Sequence, residues 1–390
     1  MALQPLRRQI NDKPAGRKNL MINGAMNVAQ RGATFTTPAS GTDILDRFSV
    51  LANTNGASKV TYTQSTEAPP GFTYSLKADV VTALTPAASD YHIVKYNGFE
   101  QQDIDHLAFG TSDAQQITLS FWVKSNKTGT LVAEFQYTSV EASDASVELG
   151  KTYTINAADT WEYKTITYPA PTGHTSNQSG VASGLKIYFW LTAGSNYASG
   201  TIDPDWGVNT NRVSGQDNYL DSTSNEIYWT GFQLEAGKTA TPFEHRSLSE
   251  ELQLCQRYFF NPLSGGNGQA AQITGYFPVN FGTIVSTGNN GHMVFHVPFP
   301  VSMRAAPSLS HDLANTKLVS AAPGGSQVSF YYQNQGWTTK AGNGNLNTLS
   351  RNVSTNSGCV VGTYYISPGS VRYDQIAIGA SNKFHFDAEL

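Results

Sequence analysis

Glu100, Asp103, Asp105 and His106 fall within the run FEQQDIDH, the densest set of proton-transferring groups in the sequence. Paired carboxylates can cleave a glycosidic bond when one serves as acid and the other as base or nucleophile at a fixed separation. The sequence does not set that separation, and the stretch also reads as the end of a strand and its turn, which is the favoured reading. A second oxygen-rich set, Asp203, Asp205, Asp217 and Asp221 with Asn209, Asn211 and Asn218, lies in one long segment and could hold calcium. It matches no calcium-loop spacing, so a solvated loop is favoured. No Gly-x-Ser-x-Gly elbow, His-Glu-x-x-His pair or phosphate-binding loop occurs. His245, in FEHR, is expected to be structural. Cys255 and Cys359 lack metal-ligand spacing and read as small buried hydrophobes. The expectation is therefore a protein without a catalytic step or a cofactor.

Aromatic side chains are the better lead. Sugar rings stack their apolar faces on exposed Trp and Tyr, while amides and carboxylates bond the hydroxyls. Trp206, with Tyr197 and Tyr219 in the same long segment, fits that description. So do Tyr331, Tyr332 and Trp337, which flank Gln333, Asn334 and Gln335. For each, packing beneath its own loop is an equal alternative. Trp122, Trp190 and Trp229 sit in alternating runs and are expected in the core.

The elements that must position these residues are short strands. Charged residues make up 14% of the 390 positions, and 19 Tyr and 19 Phe occur among abundant Gly, Ser, Thr and Asn, a composition suited to strands joined by polar turns. Strands are expected at 20–28, 45–52, 59–64, 72–81, 91–101, 116–124, 130–138, 161–168, 185–192 and 225–234. Loops are expected at 139–160, 169–184 and 194–224. The last strand, EIYWTGFQLE, changes face between Trp229 and Phe232, which predicts a bulge at Gly231. Ser247 and Glu250 have capping-box spacing, and Leu248, Leu252, Cys255 and Phe259 form a helical stripe over 247–260. Beyond it, Gly/Asn turns separate strands near 292–297, 327–333, 359–366, 371–379 and 383–389. The fold class is all-β: an N-terminal arm (1–18), a jelly-roll β-sandwich (19–246), a short linker helix (247–260) and a second, smaller antiparallel β-sandwich (261–390).

The arm carries Arg7, Arg8, Lys13, Arg17 and Lys18 against Asp12 and is read as an attachment segment for a neighbouring subunit. A net charge of −4 leaves no general footprint for nucleic acid. No run is apolar enough to span a bilayer, and Arg7 and Arg8 stand where a signal peptide's apolar core would begin.

Three sets of residues carry a resemblance. FQLE over 232–235, Gly237, ATPFEHR over 240–246 and EELQLCQRYF over 250–259 form one nearly gap-free block. NLMINGAMNVAQRG over 19–32, followed by Asp46, Arg47 and Phe48, precedes it. VPFPVSMRAAP over 297–307 and the closing Asp387-Ala-Glu-Leu390 follow. Together these resemble the virion and tail-fibre proteins of tailed bacteriophages. The resemblance implies a jelly roll similar to galactose-binding-type carbohydrate-binding modules and a distal C-terminal domain facing a host glycan. It also implies a homotrimer and location in the virion, with residues 1–18 gripping other virion proteins. Related modules hold a structural calcium between opening and closing strands. Here Ala25 replaces the usual carboxylate, leaving Asn23 and Glu235 as weak ligands. A decoration protein without a receptor role and a glycan depolymerase are the alternatives.

Overall fold

A computed structural model describes residues 17–54, 58–261, 299–305 and 387–389 with their side chains, and the backbone of the strands named below between 276 and 387. The chain forms two compact units. The first comprises residues 1–26, 36–42 and 49–246; the second comprises 27–35, 43–48 and 247–390.

The chain begins with β1 (Thr34–Phe35), β2 (Phe48–Asn53), β3 (Val60–Ser65), β4 (Ser75–Val80) and β5 (Tyr91–Glu100). Next come the short helix α1 (Gln101–Ile104), then β6 (Ile117–Ser125), β7 (Gly129–Thr138), β8 (Ser146–Ile155), β9 (Glu162–Tyr168) and β10 (Ser183–Ala193). The unit ends with α2 (Ser195–Ala198) and β11 (Glu226–Ala236). Two antiparallel sheets result, one running β3-β4-β11-β6-β9 and the other β2-β5-β10-β7-β8. This is an all-β sandwich. Between the sheets, Phe121, Phe189 and Phe232 pack with centroids 4.9–5.6 Å apart, and Trp229 is 1% exposed. Fully burying one such ring contributes about 1.5–3 kcal/mol.

Gly231 has φ +65°, and the β11–β6 register slips between Thr230 and Gln233, so the expected bulge is present. The expected strand at 20–28 is not regular. Its residues are instead bolted to β11. Leu20 N donates to Leu234 O (3.0 Å), Phe232 N donates to Gly24 O (2.9 Å), and Asn19 Nδ2 donates to Phe232 O (3.1 Å). The expected loop at 139–160 contains β8. Gly150 in its middle masks the strand pattern. A Cβ there would stand 2.1 Å from Arg212 O, so the glycine marks a close backbone approach by the 194–224 segment.

In the second unit, Ser247 Oγ accepts from Glu250 N at 3.3 Å and caps α3 (Leu248–Gln256). The expected helical stripe is only partly buried: Cys255 is 1% exposed but Leu248 is 50% exposed. The helix stops at Gln256, and Phe259 lies in β12 (Phe259–Phe260). The strands that follow are β13 (Tyr276–Pro278), β14 (Phe281–Thr287), β15 (Asn290–Pro298), β16 (Ser308–His311), β17 (Thr316–Val319) and β18 (Ser329–Phe330). The last five are β19 (Lys340–Ala341), β20 (Arg351–Thr355), β21 (Gly358–Ile366), β22 (Gln375–Ile378) and β23 (Phe384–Asp387). They pair as β12-β23-β16, β13-β22-β17 and β14-β15-β21-β20.

Parts of the sequence blocks that carry the resemblance, Gln30, Arg31, Asp46, Arg47, Phe259, Asp387 and Glu389, meet in this unit. Gln30 N and Nε2 donate to the buried Asp46 carboxylate at 2.7 and 2.6 Å, and Gln30 Nε2 also donates to Phe259 O at 2.9 Å. Arg31 pairs with Asp387 (2.7 Å) and Glu389 (3.3 Å) and lies over the Phe259 ring. Arg47, 1% exposed, pairs with Glu389 and covers Tyr258 at 3.4 Å. Segments 27–35 and 43–48 therefore belong with the C-terminal unit, against the expectation that 19–246 forms one body. The buried Arg31 and Arg47 are balanced there by Asp387 and Glu389.

Candidate functional site

Two of the expected sugar-stacking residues are buried. Trp206 is 7% exposed; its Nε1 donates to Pro169 O at 2.8 Å and its ring packs on Phe109 and Tyr137. Tyr219 is 2% exposed, with its hydroxyl donating to Glu226 O at 2.7 Å. Tyr197 is half-buried, edge-on to Tyr91 and tilted against Trp190. These three fasten the 194–224 segment to the sandwich, and neither Trp206 nor Tyr219 presents a face to a sugar. Tyr331, Tyr332 and Trp337 lie outside the described residues.

The candidate ligands also serve the fold. Glu235 accepts from Thr241 N (2.9 Å), Thr241 Oγ1 (2.6 Å) and Gln233 Nε2 (2.9 Å), so its carboxylate pins the exit loop. Asn23 is fully buried at φ 59°. Asp217 accepts from Thr130 N (2.6 Å), Asp221 from Lys127 Nζ (2.7 Å) and Asp203 from Asn211 N (3.0 Å), so each tethers a loop. Among the described residues no group of three His, Cys, Asp or Glu is arranged to hold a metal ion. Glu100 is fully buried and accepts from Gln102, while Asp105 accepts from Gln101. Of the arm, Arg7, Arg8 and Lys13 lie outside the described residues and Arg17 is exposed. Lys18 Nζ donates to Thr241 Oγ1 at 2.6 Å and to Pro242 O at 2.5 Å, within its own unit.

The outer face of the β2-β5-β10-β7-β8 sheet is sealed at its centre. Trp190, expected in the core, lies here with Ile93, Val132 and Tyr188 under Val213 and the partly buried Tyr197, Ala198 and Ile202. Glu134, fully buried, accepts from Trp190 Nε1 (2.6 Å) and Arg212 Nε (3.0 Å). Burial, outweighing the attraction of Arg212, pushes its carboxyl up to about 7. Arg212 also reaches Glu148 at 3.7 Å, whose carboxyl burial raises as well. Two perturbed carboxylates are thus adjacent, but they are held by the strap that covers them.

The opposite sheet presents the open aromatic surface. In β6, Ile117, Leu119, Phe121 and Val123 are fully buried, so period two turns Trp122 and Lys124 outward. Trp122, expected in the core, is half-buried there. Its cross-strand partner is Tyr163, 42% exposed, with ring centroids 5.4 Å apart. Tyr228 is 5% exposed, covered by Trp161 at 6.3 Å and by Lys77 and Lys124 over its ring at 5.5 and 5.6 Å. The lysines are paired, Lys77 with Glu226 (2.6 Å) and Lys124 with Glu67, so the surface combines ring faces with hydrogen-bonding groups at little net charge. Gly231 makes it possible: a Cβ there would stand 2.7 Å from Phe72 and 3.1 Å from Trp122. Alternation signals this placement, since an inward Phe121 turns its neighbour Trp122 outward.

No protein-family model matches the chain, and no curated protein matches its sequence. Similar solved structures include the enzymatically active domain of bacteriophage CBA120 tailspike protein 4. That match has 13% identity and a TM-score of 0.28, covering 53% of this chain and 22% of that one. The CBM22-2 xylan-binding domain of Paenibacillus barcinonensis Xyn10C is similar at 13% identity and TM-score 0.27, over 48% of this chain and 91% of that one. The family 11 carbohydrate-binding module of Clostridium thermocellum Lic26A-Cel5E is similar at 10% identity and TM-score 0.27, over 54% and 97%. The chain thus spans about a fifth of the tailspike chain. Likeness at these TM-scores carries no argument about activity or ligand.

Proposed function

We propose that the chain is a structural protein of a tailed-phage particle that fastens the particle to host-surface glycan through the outer face of β6, β9 and β11. The observation that carries the binding role is the Trp122–Tyr163 pair, two adjacent rings accessible on a rigid sheet with charge-paired lysines beside them. Such a surface stacks on sugar rings and offers hydroxyl partners at its rim. The phage assignment is supported by the sequence blocks at 19–32, 46–48, 232–259 and 387–390; Asn19 fastens to Phe232 within the first unit, and Gln30 with Asp46, Arg31 with Asp387 and Arg47 with Glu389 pair within the second. Adhesion of this kind involves no bond breaking, and copies arranged as a trimer in the virion would multiply a weak affinity through effective concentration.

Binding of the full-length chain to a glycan array, with mass spectrometry of purified particles, tests both parts. Saturable glycan binding reduced by Trp122→Ala, with the chain present in the particle, supports the proposal. A chain present in particles but silent on every glycan would make it a decoration protein.

A further inference from the structure

Two loops of the first unit add rings to the outer face that carries Trp122 and Tyr163. Before β4, Phe72 N donates to Pro69 O at 3.1 Å. Pro70 and Gly71 (φ +93°) occupy the middle of that turn, the pair that a type II turn favours. The turn lays the Phe72 ring over Gly231, beside Trp122. After β11 the chain is pinned at every second residue. Glu244 N donates to Gln233 Oε1 at 2.8 Å, its carboxylate accepts from Asn19 N at 2.7 Å, and Arg246 Nη1 donates to Met21 O at 2.9 Å. Phe243 and His245, the residues between, meet Phe72 instead. Phe243 packs on Phe72 with centroids 5.0 Å apart, and His245 lies 4.8 Å from Phe243 and 5.3 Å from Phe72.

The rings therefore run from Tyr163 on β9 over Trp122 on β6 to Phe72 above β11, and continue through Phe243 to His245. Tyr163 and His245 are exposed, and the three rings between them are half-buried. A contiguous set of accessible rings on the outside of a sheet adds nothing to the core and marks a contact surface. Each ring can stack one sugar, so the set is several sugar units long. Neighbouring planes differ by 49° at Trp122 and Tyr163, 65° at Phe72 and Phe243 and 74° at Phe243 and His245. Such turned planes suit one chain that twists along its length, whereas the flat face of a crystalline fibre needs coplanar rings. Lys77 and Lys124, beside the rings, are each paired with a glutamate, so the surface offers little net charge to an ionic ligand.

We propose that the rings of Tyr163, Trp122, Phe72, Phe243 and His245 bind a single linear, uncharged polysaccharide chain along its length, several sugar units at once, rather than one terminal sugar. This deepens, and rests on, the glycan-attachment reading by naming the class of glycan that the same face takes. Trp122 and Tyr163 hold two units, and Phe72, Phe243 and His245 hold the units that follow.

The test is calorimetric titration of the full-length chain with the disaccharide and the hexasaccharide of three neutral series, from mannan, cellulose and galactan, at low and high salt. The hexasaccharide of one series should bind at least about thirtyfold more tightly than its disaccharide, equivalent to about 2 kcal/mol, with little dependence on salt. That ratio exceeds what the repeated disaccharide positions along a longer chain supply by themselves. Phe243→Ala and His245→Ala should each weaken the hexasaccharide several-fold and leave the disaccharide unchanged, with circular dichroism unaltered. His245 is exposed, so its replacement leaves the core intact, and His245→Phe, which keeps a ring, should retain the length preference. Equal affinity for the two lengths, or a length preference unmoved by both alanine variants, overturns the extended site. In that case, disaccharide binding lost in Trp122→Ala would leave attachment standing. Absence of binding by every probe would overturn both.

Discussion

Glu134→Gln isolates the buried carboxyl that anchors the strap over the β2-β5-β10-β7-β8 sheet. In the folded protein this carboxyl is pushed from an ordinary 4.5 to about 7, chiefly by burial. At about 1.4 kcal/mol per pH unit, that difference amounts to about 3 kcal/mol, a large share of the ~5–15 kcal/mol that holds a domain together. The sign follows from which state holds the proton. The folded state retains it longer, so the contribution is fully present below pH 4.5 and is lost as pH rises to about 7. Glutamine does not titrate. The stability advantage of the wild type over Glu134→Gln should therefore shrink by about 3 kcal/mol between pH 4.5 and 7.5. Asp46, pushed up to about 6 by burial, titrates in the same direction but is common to both proteins and cancels. Hydrogen exchange of the β7 and β10 amides reads the first unit specifically. Parallel pH profiles for the two proteins would refute the placement of Glu134 as a desolvated carboxyl.

Gly150→Ala should lift the 194–224 segment, because its Cβ would stand 2.1 Å from Arg212 O; faster proteolysis within 194–224 and a lower Tm are expected, and an unchanged digestion pattern would contradict the close approach. Glu389→Ala removes a carboxylate that pairs with the buried Arg47 and with Arg31 and should cost about 3–5 kcal/mol, read as a lower midpoint in chemical denaturation. Cys255, 1% exposed with its thiol pushed well up by burial, should resist maleimide in the native protein and label only on unfolding.

Much of the sandwich was legible because period two is a local signal. The alternation of Leu119, Phe121 and Val123 gives β6 its inner face, and the break at Gly231 gives the bulge. Non-local causes were not legible. Gly150 reads as a strand breaker until Arg212 is seen lying across it. Trp206 and Tyr219 read as exposed because they occupy a long polar segment, yet that segment folds back and uses them as anchors. The interlock of Gln30, Arg31, Asp46 and Arg47 with Phe259, Asp387 and Glu389 spans the whole chain, and no window of sequence contains it. The binding face combined a legible residue with an illegible one: alternation points Trp122 outward, whereas its pairing with Tyr163 depends on the β6–β9 register.

The most direct test of the central claim is the affinity of full-length wild-type chain and of the Trp122→Ala/Tyr163→Ala variant for the glycan that an array selects. Losing two stacking rings should weaken binding by at least about tenfold, that is about 1.4 kcal/mol, while thermal stability changes little because both rings lie on the outer face. Unchanged affinity in a folded variant would contradict glycan attachment through this sheet.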